Sequence, residues 1–203
     1  MDVFQGETEV FINFGYFLKK RIMIVMGIDP SINSTGICIS NEIENKYYII
    51  TSKLTRKNKD FESPYIKILN YQKNDLKNLN YTDKENSKTN NIYNICQIIG
   101  TIMDIYKPYK IIMEGISYSS NGSTADLAGL NYSIRMLAKI RNINIEIVPP
   151  TSVKKFATGN GQAEKDLIID AWKRIDKNIS NVQNIKIDDL ADSFFLAHYK
   201  NNA

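Results

Sequence analysis

Between residues 22 and 51 the apolar positions fall into three short runs divided by polar turns. Residues 22–29, residues 36–41 and Tyr47-Tyr48-Ile49-Ile50-Thr51 each read as a β-strand, and the linkers are short enough for an antiparallel meander. Residues 52–89 change character. Lys, Asn, Asp and Tyr are interleaved there without a sustained period, which predicts an inserted or mobile loop with a short helix near Tyr65–Tyr71. From Asn91 to Tyr106 the positions Ile92, Ile95, Cys96, Ile99, Ile102, Met103 and Tyr106 recur at helical spacing, so this stretch is an amphipathic helix. A strand at 109–114 follows, then a polar loop Ser117–Ser123, a helix over 124–141, and a strand Ile143–Val148 halted by Pro149-Pro150. Thr151 is placed to cap a short helix through Phe156, which Gly159-Asn160-Gly161 breaks. Further helices are predicted from Ala163 to Ile175 and from Ile187 to Tyr199. A meander followed by two βα units gives an α/β fold, with a mixed five-stranded sheet flanked by helices.

A chain of 203 residues with 43% hydrophobic content fits one domain with a filled core. It has no apolar run of about 18 residues, so no membrane partner is expected. The apolar stretch Phe11–Leu18 is followed, not preceded, by Lys19-Lys20-Arg21, the wrong order for a secretory signal. Residues 1–22 therefore read as an N-terminal extension of uncertain role, and 23–203 as the functional domain with an insertion at about 52–89. Cys38 and Cys96 lie on apolar elements without a CxxC partner, which points to buried free thiols and a reducing cytoplasm. A net charge of +4 is too small by itself to establish a polyanionic partner. If several acids are sequestered around metal, the remaining surface is more basic than that total.

Four acids stand where apolar elements give out: Asp29, Glu114, and the pair Asp189 and Asp192. A carboxylate at the end of a buried strand loses solvation, and two acids three apart on a helix repel by a few tenths of a kcal/mol, so a compensating charge is needed. Hard oxygen ligands from several elements suit Mg²⁺ or Mn²⁺, and two such ions clamp the attacking and leaving oxygens of a phosphodiester. Singly, each acid has a plainer reading: Asp29 as a turn opener before Pro30-Ser31, Glu114 as a strand-end acid, Asp188 and Asp189 as first-turn residues favoured by the helix dipole. Asp188 is assigned to the N-cap. Asp192 is harder to explain away, because Leu190, Ala191, Phe194, Phe195 and Leu196 make its helix apolar on most sides.

The order βββ-α-β-α-β-α with these acids resembles the ribonuclease H-like superfamily and, within it, the RuvC-type Holliday-junction resolvases. Four segments carry the likeness: Gly27-Ile28-Asp29-Pro30-Ser31 with Thr35-Gly36; Ile111-Ile112-Met113-Glu114; Val153 through Lys165, with Lys154 and Lys165 flanking a Thr-Gly-Asn-Gly loop; and Asp189-Leu190-Ala191-Asp192-Ser193. Together they span residues 23–199, leaving out the extension and the 52–89 insertion. The opening Asp-Pro-Ser departs from the family's commoner Asp-Pro-Gly. The resemblance implies an endonuclease resolving four-way or otherwise branched DNA by paired nicks. Asp29, Glu114, Asp189 and Asp192 would hold two Mg²⁺ ions, one activating water and the other stabilising the departing 3′ oxygen. It further implies Lys165 near the scissile phosphate, support from Lys154, and a two-fold homodimer through the 92–106 or the 124–141 helix. Alternatives are a ribonuclease H-like nuclease for flaps, forks or RNA–DNA hybrids, and a catalytically silent branched-DNA-binding module. An actin-like kinase needs a duplicated domain, for which the chain is too short.

The remaining candidates for DNA contact are Lys155, Asn160, Tyr118 and Arg135. Gly159-Asn160-Gly161 is either a helix breaker or a backbone nest for phosphate ahead of the 163–175 helix. Lys165 favours an anion there, because a lysine in a first helical turn opposes the dipole. Tyr118 resembles the family's aromatic wedge or packs against its own loop. Arg135 either touches DNA backbone or belongs to a solvated face. His198, the only histidine, lies nearly two turns past Asp192 and reads as a packed or capping residue, and Trp172 as core.

Overall fold

The computed structural model describes residues 23–55, 61–116, 124–179, 182 and 187–200. The extension 1–22 and the loop containing Tyr118 lie outside the described residues. Strands β1 (Val25–Asp29), β2 (Ser34–Ser40) and β3 (Asn45–Thr51) form the expected antiparallel meander, with Asp29 paired to Gly36 and Gly36 to Ile49. Strands β5 (Lys110–Glu114) and β6 (Asn144–Val148) add in parallel on the other side of β1. The helices are α1 (Tyr81–Tyr106), α2 (Thr124–Ile140), α3 (Pro150–Thr158), α4 (Lys165–Ile175) and α5 (Asp188–Ala197).

The sheet has six strands, not five, in the order β4-β3-β2-β1-β5-β6. The extra strand, β4 (Ile66–Asn70), pairs in parallel with β3 where a short helix was predicted. Its alternation is only Ile66, Ile68 against Lys67, too brief to stand out in polar sequence, and pairing with β3 decides the conformation. Helix α1 likewise begins at Tyr81, inside the stretch read as an insertion. Asn80 caps it by accepting the Asp83 N–H at 2.9 Å, and its first turns are mostly exposed, so they carry no apolar stripe. Helix α3 starts at Pro150 with Pro149 at the N-cap, not Thr151. Proline suits a first turn because its missing N–H is not needed there.

Side chains alternate between two cores. Met26, Ile28, Ile37, Ile39, Ile111 and Met113 face α1 and α2, whereas Cys38, Tyr47, Ile49, Ile112 and Val148 face α3, α4 and α5. Cys38 and Cys96 are buried free thiols as expected. No helix among the described residues is long and apolar enough to cross a membrane. Trp172 is fully buried; its indole N–H donates to the Tyr47 hydroxyl at 3.1 Å, which donates to Asp176 at 2.5 Å. Asn45 Nδ2 and the Asn178 N–H also donate to that carboxyl group, so both oxygens of buried Asp176 have hydrogen-bond partners. Tyr47→Phe should therefore strand the indole N–H and remove one donor from Asp176, costing about 1–3 kcal/mol in urea unfolding with an unchanged m-value. A loss within error would show that the network does not hold α4 to the meander.

Candidate active site

Asp29 and Glu114 end the adjacent parallel strands β1 and β5, one residue beyond the paired positions Ile28 and Met113. Because opposed residues share a face, Gly27, Asp29, Gly36, Cys38, Ile112 and Glu114 all point towards α5. Helix α5 lies directly on this face. A Cβ at Gly36 would sit 2.1 Å from the Asp189 carbonyl oxygen, and one at Gly27 2.1 Å from that of Ser193. The two glycines thus admit the helix backbone to the sheet and set Asp189 beside the position opposite Asp29.

The four acids sense one another. Asp29 is pushed well above the usual carboxylate range, first by burial and then by Glu114, Asp192 and Asp189, with Lys165 opposing. Burial, then Asp192, raises Glu114 to about 7 against the pull of Lys154 and Lys165. Burial raises Asp192 to about 6, with Lys165 opposing and Asp189 and Asp188 adding to the rise. The structure therefore assembles Asp29, Glu114, Asp189, Asp192, Lys165 and Lys154 into one electrostatic unit.

Two expectations need correction. Ile187, not Asp188, occupies the N-cap of α5, and its apolar side chain makes no capping hydrogen bond. Asp188 instead accepts a hydrogen bond from Lys165 Nζ at 2.7 Å, so the anion anticipated near Lys165 is supplied by the chain. Two N–H groups of the Gly159–Gly161 turn, those of Gly159 and Asn160, are spent internally. Gly159, at φ +81°, donates to the Lys155 carbonyl and ends α3; Asn160 donates to Thr158 Oγ1, and Gln162 to Asn160 Oδ1. With α4 starting at Lys165, the helix-stop reading fits better than a phosphate nest.

Lys155 and Asn160 are exposed and are not among the charges that shift the acids. The Arg135 guanidinium stacks 4.8 Å over the Tyr132 ring, and its Nε is buried with no hydrogen-bond partner among the described residues, so Arg135 is not simply a solvated residue. His198 is packed as expected. Nδ1 lies 2.8 Å from the Phe194 carbonyl and must carry the proton, leaving Nε2 to accept from Ser40 Oγ at 3.1 Å. Burial lowers its pKa. Sequence reasoning missed Asn131, which is 1% exposed on α2 and donates at 3.0 Å to the main-chain oxygen of Glu114. Its signal was an amide between Leu130 and Ile134 on the buried side of a helix.

Among the described residues no three His, Cys, Asp or Glu side chains already converge on one point as metal ligands. The donor set nonetheless suits a hard divalent cation. It consists of carboxylates from β1, β5 and α5; Asp29, Glu114 and Asp192 are driven towards their neutral forms first by burial and then by neighbouring acids, which Lys154 and Lys165 only partly offset.

These features define a ribonuclease H-like α/β protein with an acidic site at the ends of its central strands. A model of the family "Crossover junction endodeoxyribonuclease RuvC" matches residues 68–198, a span holding Glu114, Lys154, Lys165, Asp189 and Asp192 and beginning within β4. The RuvC of Caldicellulosiruptor saccharolyticus is 28% identical over 177 residues, 86% of this chain and 90% of that protein. The RuvC of Wolbachia pipientis wMel is 26% identical over 176 residues, covering 85% and 90%. The Thermus thermophilus RuvC structure aligns with a TM-score of 0.54 at 17% identity, covering 86% of this chain and 91% of that one. The T. thermophilus RuvC in complex with Holliday junction substrate gives the same TM-score and identity, covering 86% and 90%. The chain belongs to the RuvC family of crossover junction endodeoxyribonucleases.

The raised carboxylates reverse the usual acid lability. A group whose folded pKa exceeds its unfolded value keeps the folded state more protonated, so its contribution is full at low pH and is lost as pH rises. For Glu114 the window runs from its ordinary 4.5 to about 7. In EDTA, Glu114→Gln and wild type should have similar Tm near pH 4.5, with the variant increasingly the more stable towards pH 8. Parallel Tm profiles would show that Glu114 is not driven up in solution. Gly36→Ala should cost about 1–3 kcal/mol by pressing a methyl into the Asp189 backbone. It should also weaken the Tm increase on adding Mg²⁺, and an unaltered Mg²⁺ response would show that the site tolerates displacement of α5.

Proposed function

We propose that this chain is a metal-dependent, structure-selective endonuclease that resolves four-way DNA junctions by paired nicks. Asp29, Glu114, Asp189 and Asp192 are read as the ligands of two Mg²⁺ or Mn²⁺ ions. The observation that carries the reading is the electrostatic convergence of these acids with Lys165 at the ends of β1 and β5. Membership of the RuvC family supports it, as does the Holliday-junction complex of the T. thermophilus relative. When bound, the ions would supply activated water and neutralise charge on the departing oxygen. Lys165, supported by the positive charge of Lys154, donates to phosphate oxygens as negative charge grows there. Exposed Lys155 is suited to phosphate-backbone contact outside the reacting centre.

Two matched nicks call for two sites related by symmetry. Of the two helices considered for a homodimer, α2 offers the more continuous apolar stripe: Tyr132, Met136 and Ile140, 53%, 60% and 69% exposed at successive turns. On α1 the exposed Tyr81, Tyr93 and Ile105 each stand about three turns apart. We assign the dimer contact to α2.

Asp29→Asn or Glu114→Gln should abolish cleavage of a synthetic four-way junction with Mg²⁺ while binding persists or tightens, since each change also removes repulsion of phosphate. Cleavage at the wild-type rate by either variant would defeat the site assignment. Comparing a junction with a flap and an RNA–DNA hybrid tests the substrate class, and preference for either alternative would overturn junction resolution. Met136→Glu should yield monomers in sedimentation and replace paired nicks by single ones. A dimer that survives this change does not use α2.

A further inference from the structure

Lys165 occupies a poor place for a lysine. It opens α4 at the positive end of the helix dipole, and its side chain is 63% exposed. A four-carbon stem in that setting has no intrinsic reason to keep one direction. Its Nζ nevertheless donates to Asp188 Oδ2 at 2.7 Å, and that carboxylate is only 10% exposed. Asp188 is well seated to act as an anchor, because as the first residue of α5 it lies where the dipole favours negative charge. The ion pair ties the N-termini of α4 and α5 together, one residue ahead of Asp189 and four ahead of Asp192. Lys165 also opposes the rise of Asp29 and, together with Lys154, that of Asp192. An ammonium group has three donors, so one spent on Asp188 leaves two for another anion.

We propose that Asp188 is a positioning residue: without touching the scissile phosphate, it holds the Lys165 ammonium at the edge of the acidic cluster so that its remaining donors meet the substrate. The proposal rests on the reading that Lys165 faces phosphate. The pair is partly exposed, and an exposed ion pair contributes little to folding. Its significance is geometric: an aimed donor needs no reorganisation when charge develops.

The test is a double-mutant cycle on single-turnover cleavage of a four-way junction at saturating enzyme with Mg²⁺. Lys165→Ala should slow cleavage at least about tenfold, as expected when a donor to developing charge is removed. Asp188→Ala should slow it by several-fold, with junction affinity unchanged or increased. The double variant should be no slower than Lys165→Ala, because an unaimed lysine and an absent one fail at the same step. Asp188→Asn, which keeps an acceptor oxygen, should recover part of the rate and guards against misfolding of the alanine variant. Losses that multiply would overturn the proposal. An activity-independent readout is the ¹⁵Nζ ammonium resonance of Lys165, assigned by its absence in Lys165→Ala. It should be seen in the wild type and be lost in Asp188→Ala; persistence there would overturn the proposal. If Lys165→Ala cleaves normally, the phosphate-facing reading of Lys165 has failed, and loss or persistence of the resonance still decides whether Asp188 holds the ammonium.

Discussion

The contact on which the site depends is backbone against backbone. Helix α5 approaches β1 and β2 so closely that the Asp189 and Ser193 carbonyl oxygens fill the places where side chains at Gly36 and Gly27 would begin. This approach carries two acids to a face already bearing Asp29 and Glu114. It also makes the helix nearly all buried, from Asp188 through Ala197 with only Asp192 partly exposed. The apolar payload of Leu190, Phe194, Phe195 and Leu196 stabilises the docking against the repulsion it creates among the carboxylates. A packing solution and an electrostatic problem therefore come from one contact.

The site is held from the back as well. The Glu114 carbonyl, at the last residue of β5, is taken by Asn131 of α2, while the next N–H, that of Gly115, bonds to Val148. The strand end is thus fixed on either side, which limits how far the Glu114 carboxylate can move when its charge changes. Lys165 receives a comparable constraint from Asp188. Restraint of the groups around a charged centre reduces the reorganisation needed when a highly charged ligand arrives.

Much of this arrangement was legible in the sequence because the strong signals are local. The meander, the β5 and β6 strands and the helices rest on periodicity. Asp29 and Glu114 could be singled out because each ends an apolar run, and Asp189 and Asp192 because they stand three apart in an otherwise apolar helix. What escaped has little apolar content or depends on distant partners. β4 is five residues in polar surroundings and exists through pairing with β3. The first turns of α1 are mostly solvated and show no stripe. The Asp188–Lys165 pair joins residues 23 apart in sequence, and Asn131 reaches a main-chain oxygen 17 residues away. A spacing rule could not separate an N-cap aspartate from one turned towards another helix, since both belong to a first turn.

The glycines on the α5 face also proofread strand alignment. Gly27 lies between Met26 and Ile28, which point into the opposite core, and pairs with Cys38, two residues from Gly36. Sliding β1 by one residue against its neighbours would turn Met26 and Ile28 towards α5, where a main-chain oxygen leaves no room even for a methyl group. The same slip would bury Asp29 among the isoleucines facing α1. A misaligned sheet thus cannot close over its helix, so the structure that completes the core is also the one that assembles the acids.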